Sequence, residues 1–284
     1  MTHIFIGVTG WGDHEQLYPA GTRPSEKLSL YAGHFPLVEV DASFYALQPQ
    51  RNFASWAKQT PDNFQFVVKA HQRMTGHQRG DDLKGKRAKD VFTEFRDSLS
   101  PLREAGKLAT VLFQFPPWVD CQKKYVAYIR QCRDFFNDLP LAVEFRHQSW
   151  FSPRYKEATL NFLRQEQLVH VVCDEPQVGS GCVPIVPVVT HAEKVLVRFH
   201  GRNRAGWVNR GQDNWRAVRY NYRYNERELR EWADRLRALA EQAAHVYVLF
   251  NNNSKGDAVP NAREMIDLLG IRYRGLAPRQ LEWF

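Results

Sequence analysis

Apolar residues fall in eight short runs, at 4–8, 37–40, 64–69, 108–113, 141–145, 169–173, 195–199 and 246–250, each rich in β-branched or aromatic side chains. Most of the intervals carry a helical pattern instead. Residues 90–102 place Val91, Phe92, Phe95, Leu99 and Leu102 on one stripe and predict a helix. Tyr125, Tyr128, Ile129, Cys132, Phe135 and Phe136 repeat that spacing, and residues 226–244, rich in Glu, Arg, Leu and Ala, predict a third helix. After the sixth run the pattern fails: residues 179–191 contain Pro184 and Pro187 and predict an irregular segment where a helix would stand. Eight strands alternating with helices, without a linker, predict an α/β fold: one (β/α)8 TIM-type barrel occupying residues 1–284. An open doubly wound sheet would carry a glycine-rich phosphate loop after its first strand, and Thr9-Gly10-Trp11-Gly12 reads as a tight turn.

The composition, 43% hydrophobic and 25% charged, excludes a disordered, collagenous or low-complexity chain. Apolar runs stay well below the ~18 residues of a membrane span. The start, Met1 to Gly7, enters apolar sequence without a basic leader, so a soluble cytoplasmic protein away from membranes is expected. Cys121, Cys132, Cys173 and Cys182 lack zinc or redox spacing and read as reduced thiols, the first two eleven residues apart and able to share a helix face.

Charge changes the picture more. Of the formal net +8, residues 198–225 carry +6, from Arg198, Arg202, Arg204, Arg210, Arg216, Arg219 and Arg223 against Asp213. Phe199, Trp207, Trp215, Tyr220, Tyr222 and Tyr224 are interleaved with them. Arginine grips phosphate bidentately and stacks on rings, so this segment predicts anion binding. A second basic stretch, Lys69, Arg73, Arg79, Lys84, Lys86, Arg87 and Lys89, is diluted by Asp81 and Asp82 and fits a solvated loop equally well.

Strand parity collects the polar residues. Glu39 with Asp41, Lys69 with His71, Glu144 with Arg146, and Arg198 with His200 lie two apart at strand ends, while Gln114 and Asn251 close the fourth and eighth runs. In a barrel these ends converge on the face that carries active sites. On this reading Glu144 is a candidate general base and His200 an acid. Lys69, Arg146, Arg198 and Arg202 are candidate anion ligands. A buried ion network is the alternative use of the same charges. Trp11, Phe44, Tyr45, Trp118 and Trp150 could stack on a base or sugar, or simply pack.

The chain resembles the YecE-like proteins, an uncharacterised TIM-barrel family. The matching pieces are Gly10-Trp11 with Tyr18-Pro19, Val38-Glu39 with Phe44-Tyr45, FQFVVKAH at 64–71, QFPP at 114–117, AVEFRHQSWF at 142–151, VRFHGR at 197–202, YVLFNNN at 247–253 followed by Gly256, Ala258, Asn261 and Ala262, and Pro278-Arg279-Gln280. They span nearly the whole chain in order. The resemblance implies the barrel and places Glu39, Lys69, Glu144, Arg146, His147, His200, Arg202 and Asn251 along its top; it implies no reaction. One departure is local: the family pattern has adjacent Thr-His after the third strand, whereas Gly76 separates Thr75 from His77 here.

Together these readings predict a barrel that binds a phosphate-bearing ligand, nucleic acid or a nucleotide, at its C-terminal face and could hydrolyse a phosphoester. Glu144 and His200 are the proton-transfer pair. Lys69, His71, Arg146, His147, Arg198, Arg202, Arg204 and Asn251 are the ligand-binding set, supported by Glu39, Asp41, Tyr45 and Gln114. Two rivals remain. One is a small-molecule enzyme (an isomerase, lyase or glycosidase) acting on an anionic or sugar-like substrate with Glu39 and Glu144 as its carboxylates. The other is a non-catalytic binding barrel. No cofactor is expected; a divalent metal on His71, Glu144, His147, Asp174 and His200 is disfavoured by the arginines among them.

Overall fold

The structure, a computed structural model, describes residues 3–78, 87–208 and 218–279. Eight parallel strands close into a barrel in sequence order: β1 (His3–Thr9), β2 (Leu37–Val40), β3 (Gln65–Lys69), β4 (Leu108–Gln114), β5 (Leu141–Glu144), β6 (Val169–Asp174), β7 (Lys194–Phe199) and β8 (His245–Phe250), with β8 pairing back to β1. All eight predicted strands are present, each within one residue at either end. The α-helices that lie wholly within the described residues are α1 (Lys27–Tyr31), α2 (Ala42–Tyr45), α3 (Gln50–Lys58), α4 (Ala88–Ser98), α5 (Ser100–Glu104), α6 (Lys123–Phe135), α7 (Lys156–Gln165), α8 (Arg204–Val208), α9 (Glu226–Ala240) and α10 (Ala258–Leu269). No described helix is long and apolar enough to cross a membrane.

Two helical expectations are corrected. The stripe predicted over 90–102 is two helices, broken at Leu99. Pro101 opens the second, because its ring would clash with the Asp97 carbonyl in a continuous helix and it has no N–H to donate. Cys121 lies before α6, whose N-cap Gln122 is extended, so it does not share a helix with Cys132. All four cysteines are free thiols.

Between β6 and β7 no helix forms. Val183 and Val186 are buried there instead, held by bonds from the Val183 N–H to Glu175 (2.6 Å), between His170 Nε2 and the Val186 carbonyl (3.0 Å), and from Thr190 to the Leu168 carbonyl (2.7 Å). Apolar side chains still cover that face of the sheet without the N–H groups that two prolines remove.

The turn after β7 depends on Gly201, at φ +81°. A Cβ there would approach Tyr222 Cβ to 2.7 Å, so a side chain would be strained twice over. The chain thereby turns into α8 and returns through Tyr220 to Tyr224. Fully buried Asn252 and Asn261 bond to the backbone of Tyr222 and Tyr224 and fix that return.

Candidate functional site

At the top of the barrel Arg198, from β7, crosses the lumen. It donates to Glu39 of β2 through Nε (2.9 Å) and Nη2 (2.7 Å), and to Glu144 of β5 through Nη1 (2.6 Å). All three are buried, which requires such pairing. Burial pushes the Glu39 carboxyl up despite Arg198. For Glu144 burial acts the same way, but Arg198, the His200 hydrogen bond and Arg146 outweigh it and hold this carboxyl well below its ordinary range.

Glu144 Oε1 also accepts from Gln114 (2.7 Å) and Arg146 (3.1 Å) and meets His200 Nε2 at 3.1 Å. His200 Nδ1 faces the Asn251 amide at 3.1 Å. An amide N–H donating to Nδ1 leaves Nε2–H to donate to Glu144, and burial lowers the imidazole to about 3, so His200 is neutral. Arg146 continues outward to Glu175 (3.0 Å), a carboxyl that burial raises to about 7. Glu175 was not among the residues singled out from sequence; it stands one residue beyond β6, and only the fold brings it to Arg146.

Above this network lies a cavity of about 380 Å³ lined by Phe44, Tyr45, Lys69, His77, Gln114, Pro117, Trp118, Arg146, Arg219 and Tyr220. Lys69 ion-pairs with Asp41 (2.8 Å) and sits 4.4 Å from the centre of the Phe44 ring. Asp41 and Glu39 hold its ammonium above the ordinary value although burial opposes them. Tyr45 and Trp118, 56% and 45% exposed, form the rim. Trp207 of α8 has two guanidinium groups near its ring, Arg219 at 3.6 Å and Arg146 at 4.8 Å, and the arginine segment enters the cavity lining through Arg219 and Tyr220. His77 lines the wall despite the inserted Gly76, which turns the chain at φ +76°.

The remaining candidates lie elsewhere. Fully buried Asp174 faces away from the lumen. It accepts from Arg202 at 2.8 and 2.5 Å, from Tyr224 at 3.1 Å, and from the Trp232 indole N–H of α9. Arg202 also reaches Glu228 at 3.0 Å. Arg223 pairs with Glu264 and Asp257, and Arg204 is exposed at the start of α8. The backbone N–H of Arg73 donates to Nδ1 of His71, which is buried outside the cavity lining. His147 lines a separate groove with Ser149, 2.8 Å from its hydroxyl. Trp150 stacks on Phe145 at 4.0 Å and Trp11 packs edge-on to Trp56, so both serve packing. Arg79, Asp81, Asp82, Lys84, Lys86, Arg210, Asp213, Trp215, Arg216 and Gln280 fall outside the described residues.

Among the described residues one group could converge on a metal: Glu144, Cys173 and His200, whose ligand atoms lie within 4.8 Å of one another. The donor set does not suit a cation. Glu144 already accepts from two guanidinium groups, and burial beside Glu144 and Glu175 pushes the Cys173 thiol well up, so it stays protonated.

A family model described as "Protein of unknown function DUF72" matches residues 5–283. The chain is 55% identical over 282 residues to the UPF0759 protein YunF of Bacillus subtilis, covering 99% of this chain and 100% of that one. It is 29% identical over 223 residues to the UPF0759 protein YecE of Escherichia coli K12, covering 70% and 74%. The crystal structure of a DUF72 family protein from Enterococcus faecalis superposes with a TM-score of 0.91 at 37% identity, over 99% and 100% of the two chains. One from Thermotoga maritima gives 0.79 at 31% identity, over 94% and 99%.

Proposed function

The chain belongs to DUF72, a family of proteins of unknown function, and we propose that it binds a small phosphate-bearing molecule, of nucleotide or sugar-phosphate size, in the cavity at its barrel mouth. The observation that carries this reading is the lining itself: Lys69, Arg146 and Arg219 meet there, and among the described residues no carboxylate lines the cavity. Asp41 stands behind Lys69, and Glu144 and Glu175 stand behind Arg146, and they fix these two cations. The Lys69 ammonium and the Arg146 guanidinium have more N–H donors than those carboxylates accept. Tyr45 and Trp118 offer ring faces at the rim for a base or sugar. A volume of about 380 Å³ lies in the range of small-molecule pockets.

The geometry favours a small ligand over a nucleic-acid strand. Arg198, Arg202 and Arg223 each face carboxylates, so their charge is answered within the protein. Glu144 and His200 lie beneath the cavity, and their role in this reading is to hold Gln114 and Arg146 in place.

Tryptophan fluorescence titration with AMP and with a single-stranded DNA oligomer, at low and raised salt, tests it. Saturable quenching by AMP that disappears in Trp118→Phe is expected. Tight DNA binding with a steep salt slope and no response to AMP would replace the small ligand with a polymer.

A further inference from the structure

We infer that His77 is a hydrogen-bond acceptor of the cavity, selecting phosphate-bearing ligands that carry a hydroxyl donor, as a sugar phosphate or ribonucleotide does. The inference rests on the phosphate reading above and names the class of ligand within it.

Three observations support it. Thr75 Oγ1 lies 2.8 Å from His77 Nδ1 and 3.3 Å from the Gln72 carbonyl oxygen. A hydroxyl has one proton; directed at the carbonyl, it leaves Thr75 to accept from Nδ1–H, and this is the tautomer on which the inference rests. This tautomer leaves the lone pair on Nε2, which has no hydrogen-bond partner among the described residues. Second, the ring is held at a fixed angle, edge-on to Phe44 at 4.9 Å and to Trp118 at 5.9 Å, so its free nitrogen is preorganised. Third, burial, then Lys69 and Arg146, lower the imidazole to about 4, so it stays neutral and accepting at physiological pH. Lys69 and Arg146 in the lining offer only donors, and the Gln114 amide N–H is given to Glu144, which leaves its carbonyl oxygen as a second acceptor beside His77. A ligand that is anionic at one end and donates a hydroxyl at the other matches this division.

Two experiments test the inference. Nitrogen-15 NMR of histidine-labelled protein reads the tautomer directly: a protonated Nδ1 and bare Nε2 at His77, lost in Thr75→Val, is expected, and the opposite tautomer would overturn the assignment. Calorimetric titration then compares inorganic phosphate with ribose 5-phosphate. His77→Ala should weaken ribose 5-phosphate about tenfold while leaving inorganic phosphate within about twofold, and His77→Gln, which keeps a carbonyl acceptor, should restore part of the loss. Equal weakening of both probes, or none of either, would show that His77 does not read a hydroxyl. If neither probe binds the wild-type protein, the phosphate reading falls and the ligand class with it, whatever tautomer the NMR shows.

Discussion

Arg198 and Glu39 face each other across the closed barrel through two hydrogen bonds, Nε to Oε2 at 2.9 Å and Nη2 to Oε1 at 2.7 Å, with neither side chain reached by solvent. The same guanidinium holds Glu144 at 2.6 Å, so one cation separates two buried carboxylates. Removing it leaves both without their main partner. Arg198→Met is therefore expected to destabilise the fold by about 3–5 kcal/mol, seen as a lower midpoint in urea. Adding Glu39→Gln should recover part of the loss, because one uncompensated charge then disappears. An unchanged midpoint would mean that the network contributes nothing to stability.

A second ion pair is separated from the cavity by the sheet. Arg202 grips Asp174, which Tyr224 and Trp232 also contact. Arg202→Ala should lower stability by about 2–3 kcal/mol and leave phosphate binding within twofold. Weakened binding at unchanged stability would move Arg202 into the ligand site.

Glu175 makes anion binding depend on pH. Its carboxyl is raised to about 7 by burial, against the pull of Arg146 and the Val183 N–H. As pH falls through about 7, Glu175 takes a proton and a negative charge behind Arg146 is lost. Affinity for sulfate, whose own charge is constant there, should rise as pH falls from about 8 to about 6, and Glu175→Gln should abolish the dependence. The stability linkage has a definite sign. The folded carboxyl holds its proton above the unfolded carboxylate range, so stability falls as pH rises from about 4.5 through about 7. Urea midpoints measured across that interval check it.

Trp118, exposed at the rim, separates ring recognition from charge recognition. Trp118→Ala should weaken AMP by about five- to a hundredfold, the range of stacking contributions, while inorganic phosphate is unaffected. Parallel titrations of the two ligands decide it.

The barrel was legible because each strand is a short apolar run bounded by turn residues, and parity placed Lys69, Glu144 and Arg198 on one face without coordinates. Partnership was not legible. Residues 198–225 carry +6, yet Arg198, Arg202 and Arg223 find their carboxylates on β2, β5 and β6, α9 and α10, far away in the chain. A local charge count cannot contain those partners. Glu175 lacks a periodic signal, being positioned by irregular backbone just beyond β6. His77 was obscured by Gly76, whose positive φ returns the ring to the cavity despite the altered spacing.

The most direct test of a phosphate-binding barrel mouth is isothermal titration of AMP into the wild-type protein and into Lys69→Met. Lys69 lines the cavity, and its partner Asp41 is partly exposed, so the variant should remain folded. Saturable binding to the wild type, weakened at least about tenfold in Lys69→Met at a nearly unchanged melting temperature, is the predicted result. Equal affinity in the two proteins, or no saturable heat in either, would contradict it.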